Sequence, residues 1–162
     1  MSNKMVFLSL IPLLFVMICS CKNDNSLIDE IPDTNGQVVE LNSDMFIKYV
    51  WDYKESPEHF VFKGRKPVIV DFYTETCTPC KALRPILENW AKQYVNKVYF
   101  YSIAVDKGDN AGIYKVAAKV FGFGGYPSIL MIQANGKVKG VMGFNSRTHS
   151  EIESFLNNNG VL

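Results

Sequence analysis

Two cysteines separated by two residues, Cys77-Thr78-Pro79-Cys80, form the part of this 162-residue sequence with the plainest chemistry. A thiol pair can pass between dithiol and disulfide if the backbone brings both sulfurs to one side. Residues three apart on a helix share a face, and their Cα atoms then lie within disulfide range. The start of a helix adds unpaired N–H groups and partial positive charge, which favour a thiolate. Cys77, the outer residue, is therefore the expected nucleophile. Cys80, one turn further in and less exposed, is placed to attack a mixed disulfide on Cys77 and release the bound partner. Pro79 is compatible with this arrangement, because the first helical turn loses no hydrogen bond to it.

Two other roles compete for the same pair. Zinc normally takes four ligands, and the remaining soft candidates, His59 and His149, are isolated from each other and from the cysteines. They read as solvated surface residues, one in a loop and one near a helix start. A permanent disulfide across so short a loop would stabilise little. Thiol–disulfide exchange is the better use of the motif, with no metal and no bound cofactor expected.

The other two cysteines narrow the choice. Lys4 opens a leader whose residues 5–18 are apolar apart from Ser9 and Pro12, and Ile18-Cys19-Ser20-Cys21 is followed by the polar run Lys22-Asn23-Asp24-Asn25. This is the layout of a secretory signal peptide. Its ending resembles a bacterial lipobox, which implies cleavage before Cys21 and lipid attachment to that sulfur. The alternative is an uncleaved anchor helix, only marginally long enough to span and weakened by Pro12. Either way the domain stands on a membrane outside the cytoplasm. Cys19 leaves with the leader and Cys21 takes the lipid, so Cys77 and Cys80 remain as the free pair. Residues 1–20 are thus read as signal, 21–37 as lipidated cysteine and polar tether, and 38–162 as the folded domain.

Composition agrees with one such domain. Hydrophobic residues make up 48% and charged residues 20%, enough for a core and too few charges for a disordered chain. The net charge is +1, and loss of Lys4 with the leader leaves 16 bases against 16 acids. A balanced chain without a basic run gives no electrostatic reason to expect nucleic acid.

The elements that must position the thiols follow from periodicity. Residues 68–73 are an apolar run with Asp71 inside it, which predicts a buried central strand. From Cys77 to about Val95, Leu83, Ile86, Leu87, Trp90, Ala91 and Tyr94 recur at helical spacing, with Pro85 expected to kink the helix. Further strands are predicted at 38–41, 98–105, 128–132 and 138–141, the last two joined by the turn signal Asn135-Gly136. Helices are predicted at 43–51, capped by Ser43, at 113–121, and around Ile152, Phe155 and Leu156, while residues 53–66 read as loop. Trp51, Trp90 and Phe155 lie on apolar helical faces and are expected in the core. The order predicts an α/β domain: a mixed central sheet of about five strands flanked by about four helices on both faces.

An acid within an apolar strand, six residues before Cys77, should be hard to ionise. Such perturbed acids concentrate at functional sites, which makes Asp71 a candidate acid–base group. Tyr126-Pro127 follows a glycine cluster and leads into a strand. Read alone, Pro127 would be an ordinary trans proline.

The segment from Val70 to Lys81, Val70-Asp71-Phe72-Tyr73-Thr74-Glu75-Thr76-Cys77-Thr78-Pro79-Cys80-Lys81, resembles the active-site segment of thioredoxins. The match continues through Pro85, Asp106, Gly125-Tyr126-Pro127-Ser128, Asn135-Gly136-Lys137 and Gly143, and covers about residues 38–162. The resemblance implies a thioredoxin-like fold and protein disulfide oxidoreductase activity. It implies that Pro127 is a cis-proline facing the cysteines, and that Asp71 relays a proton to or from Cys80. Thr76, Thr78, Pro79, Tyr126 and Pro127 would meet the substrate. The implied partners are disulfide-containing exported proteins and a membrane electron donor, with the enzyme a monomer. Three positions depart from the family pattern: Thr76 replaces the usual Trp, Thr78 the usual Gly, and Ser102 stands where a Lys usually accompanies the buried acid. Pro79 before Cys80 points to a reductant. The alternatives are an oxidase or isomerase of exported proteins, or a peptide-binding module that uses the Pro127 groove.

Overall fold

The computed structural model describes residues 33–160. The leader, Cys21 and most of the tether lie outside the described residues. The fold is built from β1 (Val38–Glu40), α1 (Ser43–Tyr49), β2 (Val68–Tyr73), α2 (Thr78–Gln93), β3 (Tyr99–Ala104), α3 (Asn110–Phe121), β4 (Ser128–Ile132), β5 (Val138–Met142) and α4 (Ser146–Gly160). The five strands form one sheet in the order β1-β3-β2-β4-β5. β3 runs parallel to both β1 and β2, β4 is antiparallel to β2, and β5 is antiparallel to β4. This is the expected mixed sheet with four helices.

The continuous apolar character of β2, β3 and β4 explains their central places, since both faces of each strand are covered. One apolar layer joins Val68, Val70 and Phe72 of β2 to Phe46 of α1 and Ile113 and Ala117 of α3. The other joins Ile69 of β2 to Leu83, Leu87 and Trp90 of α2 and Ile152 and Leu156 of α4. Successive strand residues point to opposite faces, so Asp71 shares the α2 side with Ile69. Trp51, Trp90 and Phe155 are all in the core, Trp90 and Phe155 on helical faces and Trp51 just beyond α1, which ends at Tyr49 and not at residue 51.

Local signals explain most boundaries. The β4–β5 turn places Gly136 at φ 82°, with Gly136 N–H donating to Gln133 O at 2.9 Å and Gln133 N–H to Lys137 O at 2.8 Å. That is a three-residue loop whose left-handed position needs glycine. The segment around 50–67 holds no helix or strand but is not loosely attached. It wraps the buried Trp51, whose Nε1–H donates to the carbonyls of Ser56 and His59 at 3.2 and 3.1 Å. α2 continues as one helix across Pro85. Pro85 cannot donate to the Lys81 carbonyl, but both residues are exposed, so water can serve that oxygen.

Three local readings change. α1 is capped by Asn42, whose Oδ1 accepts from Met45 N–H at 2.9 Å, and not by Ser43. Ser43 is buried and its hydroxyl pairs with the Tyr53 hydroxyl at 2.9 Å. α3 begins three residues before Ile113, at Asn110, because the Asn110 side chain donates to Ala104 O at 2.9 Å and ties the helix start to the end of β3. His149 is half-buried rather than solvated, its ring 5.0 Å from that of Trp90 and its Nε2 3.3 Å from Glu153. In addition, the last tether residues are packed: Thr34 is buried, and a Cβ at Gly36 would meet the end of α2 at van der Waals distance.

The cap assignment is testable. Asn42→Ala should destabilise the full-length protein by about 1 kcal/mol in urea unfolding, the ordinary worth of such a cap.

Candidate active site

The thiol pair sits where β2 gives way to α2. Cys77 is the N-cap of the helix, with extended backbone, and its sulfur accepts from Cys80 N–H at 3.2 Å. A turn precedes it, closed by Cys77 N–H donating to Thr74 O at 3.2 Å. Cys77 and Cys80 are joined as a disulfide, with Cα atoms 5.3 Å apart. Their surroundings are unequal: Cys77 is half-buried, whereas Cys80 is 4% exposed. An approaching sulfur can reach Cys77 and not Cys80. Thr76, Thr78 and Pro79 are exposed around the pair.

The loop before Cys77 is fastened from outside the helix. Glu75 N–H donates to Asp106 Oδ2 at 3.1 Å, and Lys107 Nζ is 2.7 Å from the Glu75 carboxylate. Tyr73 donates its hydroxyl to Glu40 at 3.0 Å. β1, the loop after β3 and the thiol loop are thereby held together at one end of the sheet. Tyr73, Glu75 and Asp106 belong to the family match in the sequence, whereas Glu40 and Lys107 join them only through the fold.

Tyr126-Pro127 is a cis peptide. It stands at the start of β4, whose Ser128 pairs with Phe72 of antiparallel β2. Pro127 and the cysteine loop therefore lie at the same end of the sheet. Pro127 is buried and its carbonyl accepts from Gly143 N–H at 2.8 Å. The peptide before it is pinned by hydroxyl donors: Tyr114 donates to Gly125 O at 3.0 Å and Ser128 at 2.6 Å. The Tyr126 ring packs against that of Tyr114, tilted by 39°, with ring centres 4.7 Å apart. Tyr114 belongs to this site, and no local signal in α3 distinguishes it from an ordinary half-buried aromatic.

Asp71 is 1% exposed, and its Oδ1 has no hydrogen-bond partner among the described residues. Burial pushes its pKa up from 3.8 to about 7, while the positive charge of Arg84 draws it partly back. The carboxyl can therefore gain or lose a proton near neutral pH. A cleft of about 410 Å³ runs past it, lined by Asp71, Tyr73, Thr74, Glu75, Cys80, Lys81 and Arg84. Arg84 is not among the residues that the sequence marks for the site, although it lies four residues after Cys80 and hence on the same helical face.

The arrangement can perform dithiol exchange: a helix-capping sulfur open to attack, a covered sulfur one turn away, and an acid of near-neutral pKa in the cleft that Cys80 lines. The thioredoxin family model matches residues 48–158. The chain belongs to the thioredoxin family. It is a thioredoxin-like thiol–disulfide oxidoreductase, with the Cys77–Cys80 disulfide at the family's CxxC position. It is 37% identical to the thioredoxin of Borreliella burgdorferi over 65% of this chain and 85% of that one. Among solved structures, it resembles the long form of thioredoxin f from spinach chloroplast, with 27% identity, a TM-score of 0.54, and coverage of 79% of this chain and 91% of that one. It also resembles a thioredoxin f2 crystallised in complex with ferredoxin:thioredoxin reductase, with 27% identity, a TM-score of 0.54, and coverage of 75% and 96%.

The buried acid has a signature in stability. Between about pH 4 and 7 the folded protein keeps a proton that the unfolded chain has released, so stability declines as pH rises through that window. Asp71→Asn removes this penalty. The variant should be more stable than the parent by up to about 4 kcal/mol above pH 8. The advantage should disappear below about pH 4, as read by urea unfolding of the full-length oxidised proteins across pH.

Proposed function

We propose that this chain is a lipid-anchored reductant of the bacterial cell envelope, acting on disulfides of exported proteins. The observation that supports the chemistry best is the unequal exposure of the two sulfurs, half-buried Cys77 and buried Cys80. In the reduced enzyme the Cys77 thiolate attacks one sulfur of a substrate disulfide. The other substrate sulfur leaves as a thiolate and takes a proton from solvent. Cys80 gives its proton to the Asp71 carboxylate and attacks Cys77 Sγ, breaking the mixed disulfide. The second substrate sulfur leaves as a thiolate and is protonated in turn. The substrate has gained two electrons and the enzyme is the Cys77–Cys80 disulfide. A membrane electron donor returns it to the dithiol. The backbone next to Pro127, with Thr76, Thr78, Pro79 and Tyr126, receives the extended substrate segment by strand-like pairing.

The location rests on the leader: Ile18-Cys19-Ser20-Cys21 after an apolar run, with Cys21 the lipid-bearing residue. The direction of electron flow rests on Pro79 before Cys80, and the reduction potential tests it. A value near about −270 mV marks a reductant, and one near about −120 mV would make this an oxidase.

Cys77→Ser should abolish reduction of insulin disulfides, whereas Cys80→Ser should accumulate mixed disulfides with clients on Cys77. Full turnover in Cys77→Ser would refute the mechanism. Cys21→Ser should lose incorporated fatty acid and move the protein from the membrane to the soluble fraction of the envelope. Unchanged membrane retention would show that the leader acts as an anchor helix.

A further inference from the structure

Arg84 is held in place by two contacts that have no connection with the sulfurs. Its guanidinium carbon lies 4.8 Å from the centre of the Tyr73 ring. Its Nη1 donates to Ser102 Oγ at 3.3 Å. Ser102 is fully buried and is the β3 partner of Asp71 in the parallel β2–β3 register. Paired residues on neighbouring strands point to the same face, with strands about 4.8 Å apart. The guanidinium is thus fixed beside the Asp71–Ser102 pair, at the cleft that Cys80 also lines. Arg84 is half-buried, so its charge is less screened there than on an open surface.

We propose that Arg84 is a positioning residue for the proton transfer at Cys80: clamped between Tyr73 and Ser102, it supplies the fixed positive charge that keeps the Asp71 carboxylate available as the base. The inference rests on the redox mechanism above and adds to it the group that tunes the base. When Cys80 releases its proton, that proton binds Asp71 and the attraction between the carboxylate and the Arg84 charge is lost. When Asp71 passes the proton on, that attraction returns. No electrons move in either event.

The other groups around Asp71 do not duplicate this charge. From α2 come Cys80, which titrates only when reduced, and Lys81, whose side chain is exposed. From β2 comes Tyr73, which stays neutral, its pKa raised by burial and by its bond to Glu40. Glu75, at the cleft rim, is paired with Lys107. From β4 the register partner of Asp71 is the apolar Ile129. Arg84 draws the Asp71 pKa down, against the effect of burial.

The test compares Arg84→Met, which keeps the stem and removes the charge, with Arg84→Lys and with Arg84→Met/Ser102→Lys, which returns a cation from β3. Two readouts are made on reduced full-length protein: the titration midpoint of the Asp71 carboxyl by NMR, and the pH profile of single-turnover disulfide reduction. Arg84→Met should raise the midpoint and slow the turnover several-fold below it, with substrate KM unchanged. Arg84→Lys and the double variant should both move the midpoint back toward the wild-type value. The proposal is overturned if Arg84→Met leaves the midpoint and profile in place, even if its melting temperature falls, because Arg84 would then be only structural. It is also overturned if neither lysine variant reverses the shift, because shape and not charge would then be responsible. Absence of disulfide reduction in the wild type itself would defeat the proposed function, while the Asp71 midpoint would still decide the role of Arg84.

Discussion

The junction at which β2 leaves the sheet and α2 begins constrains the rest of the site. β2 is buried on both faces, and its backbone is fixed by parallel pairing with β3 and antiparallel pairing with β4. The direction in which it emerges is therefore set by the whole sheet. Four residues later Cys77 caps α2, and the cap geometry, not a separate loop preference, aims its sulfur at the helix start. The same helix buries Leu83, Leu87 and Trp90 against the sheet, so it cannot rotate to expose Cys80. The inequality of the two sulfurs is a packing result that the chemistry then uses.

The junction also explains why a carboxyl group can stay where it is so unfavourable. Asp71 stands in the strand that feeds the helix, and its face of the sheet is the face that α2 covers. Removing water from an anion there costs several kcal/mol. A single half-buried guanidinium, held by an aromatic face and a serine, offsets only part of that cost. The result is a group that titrates near neutrality, which is useless for stability and useful for moving a proton.

Much of the fold could be read from the chain. The number, order and type of the nine elements follow from runs such as 68–73, from helical spacing such as Leu83 to Tyr94, and from the Asn135-Gly136 turn. These are signals between neighbours along the chain, and burial reinforced them. Less legible were features in which two residues with similar local propensity compete. Asn42 and Ser43 can each cap a helix, and Ser43 is removed from that role because Tyr53, ten residues away, takes its hydroxyl. The start of α3 is not legible locally because the group that fixes it, Asn110, bonds back to the last residue of β3.

For the site, the sequence by itself determined the chemistry: the spacing of Cys77 and Cys80, an acid in an apolar strand, and a proline ahead of β4. It also marked Ser102 as a departure from the family pattern. What only the tertiary structure decided was the company these residues keep. Arg84 and Tyr114 became site residues because α2 and α3 pack where they do, bringing a guanidinium to Ser102 and a phenol to Gly125. Nothing in the local sequence around either residue encodes such a contact. The charge that answers Asp71 comes from a different element, across a distance that exists only once the helix lies on the sheet.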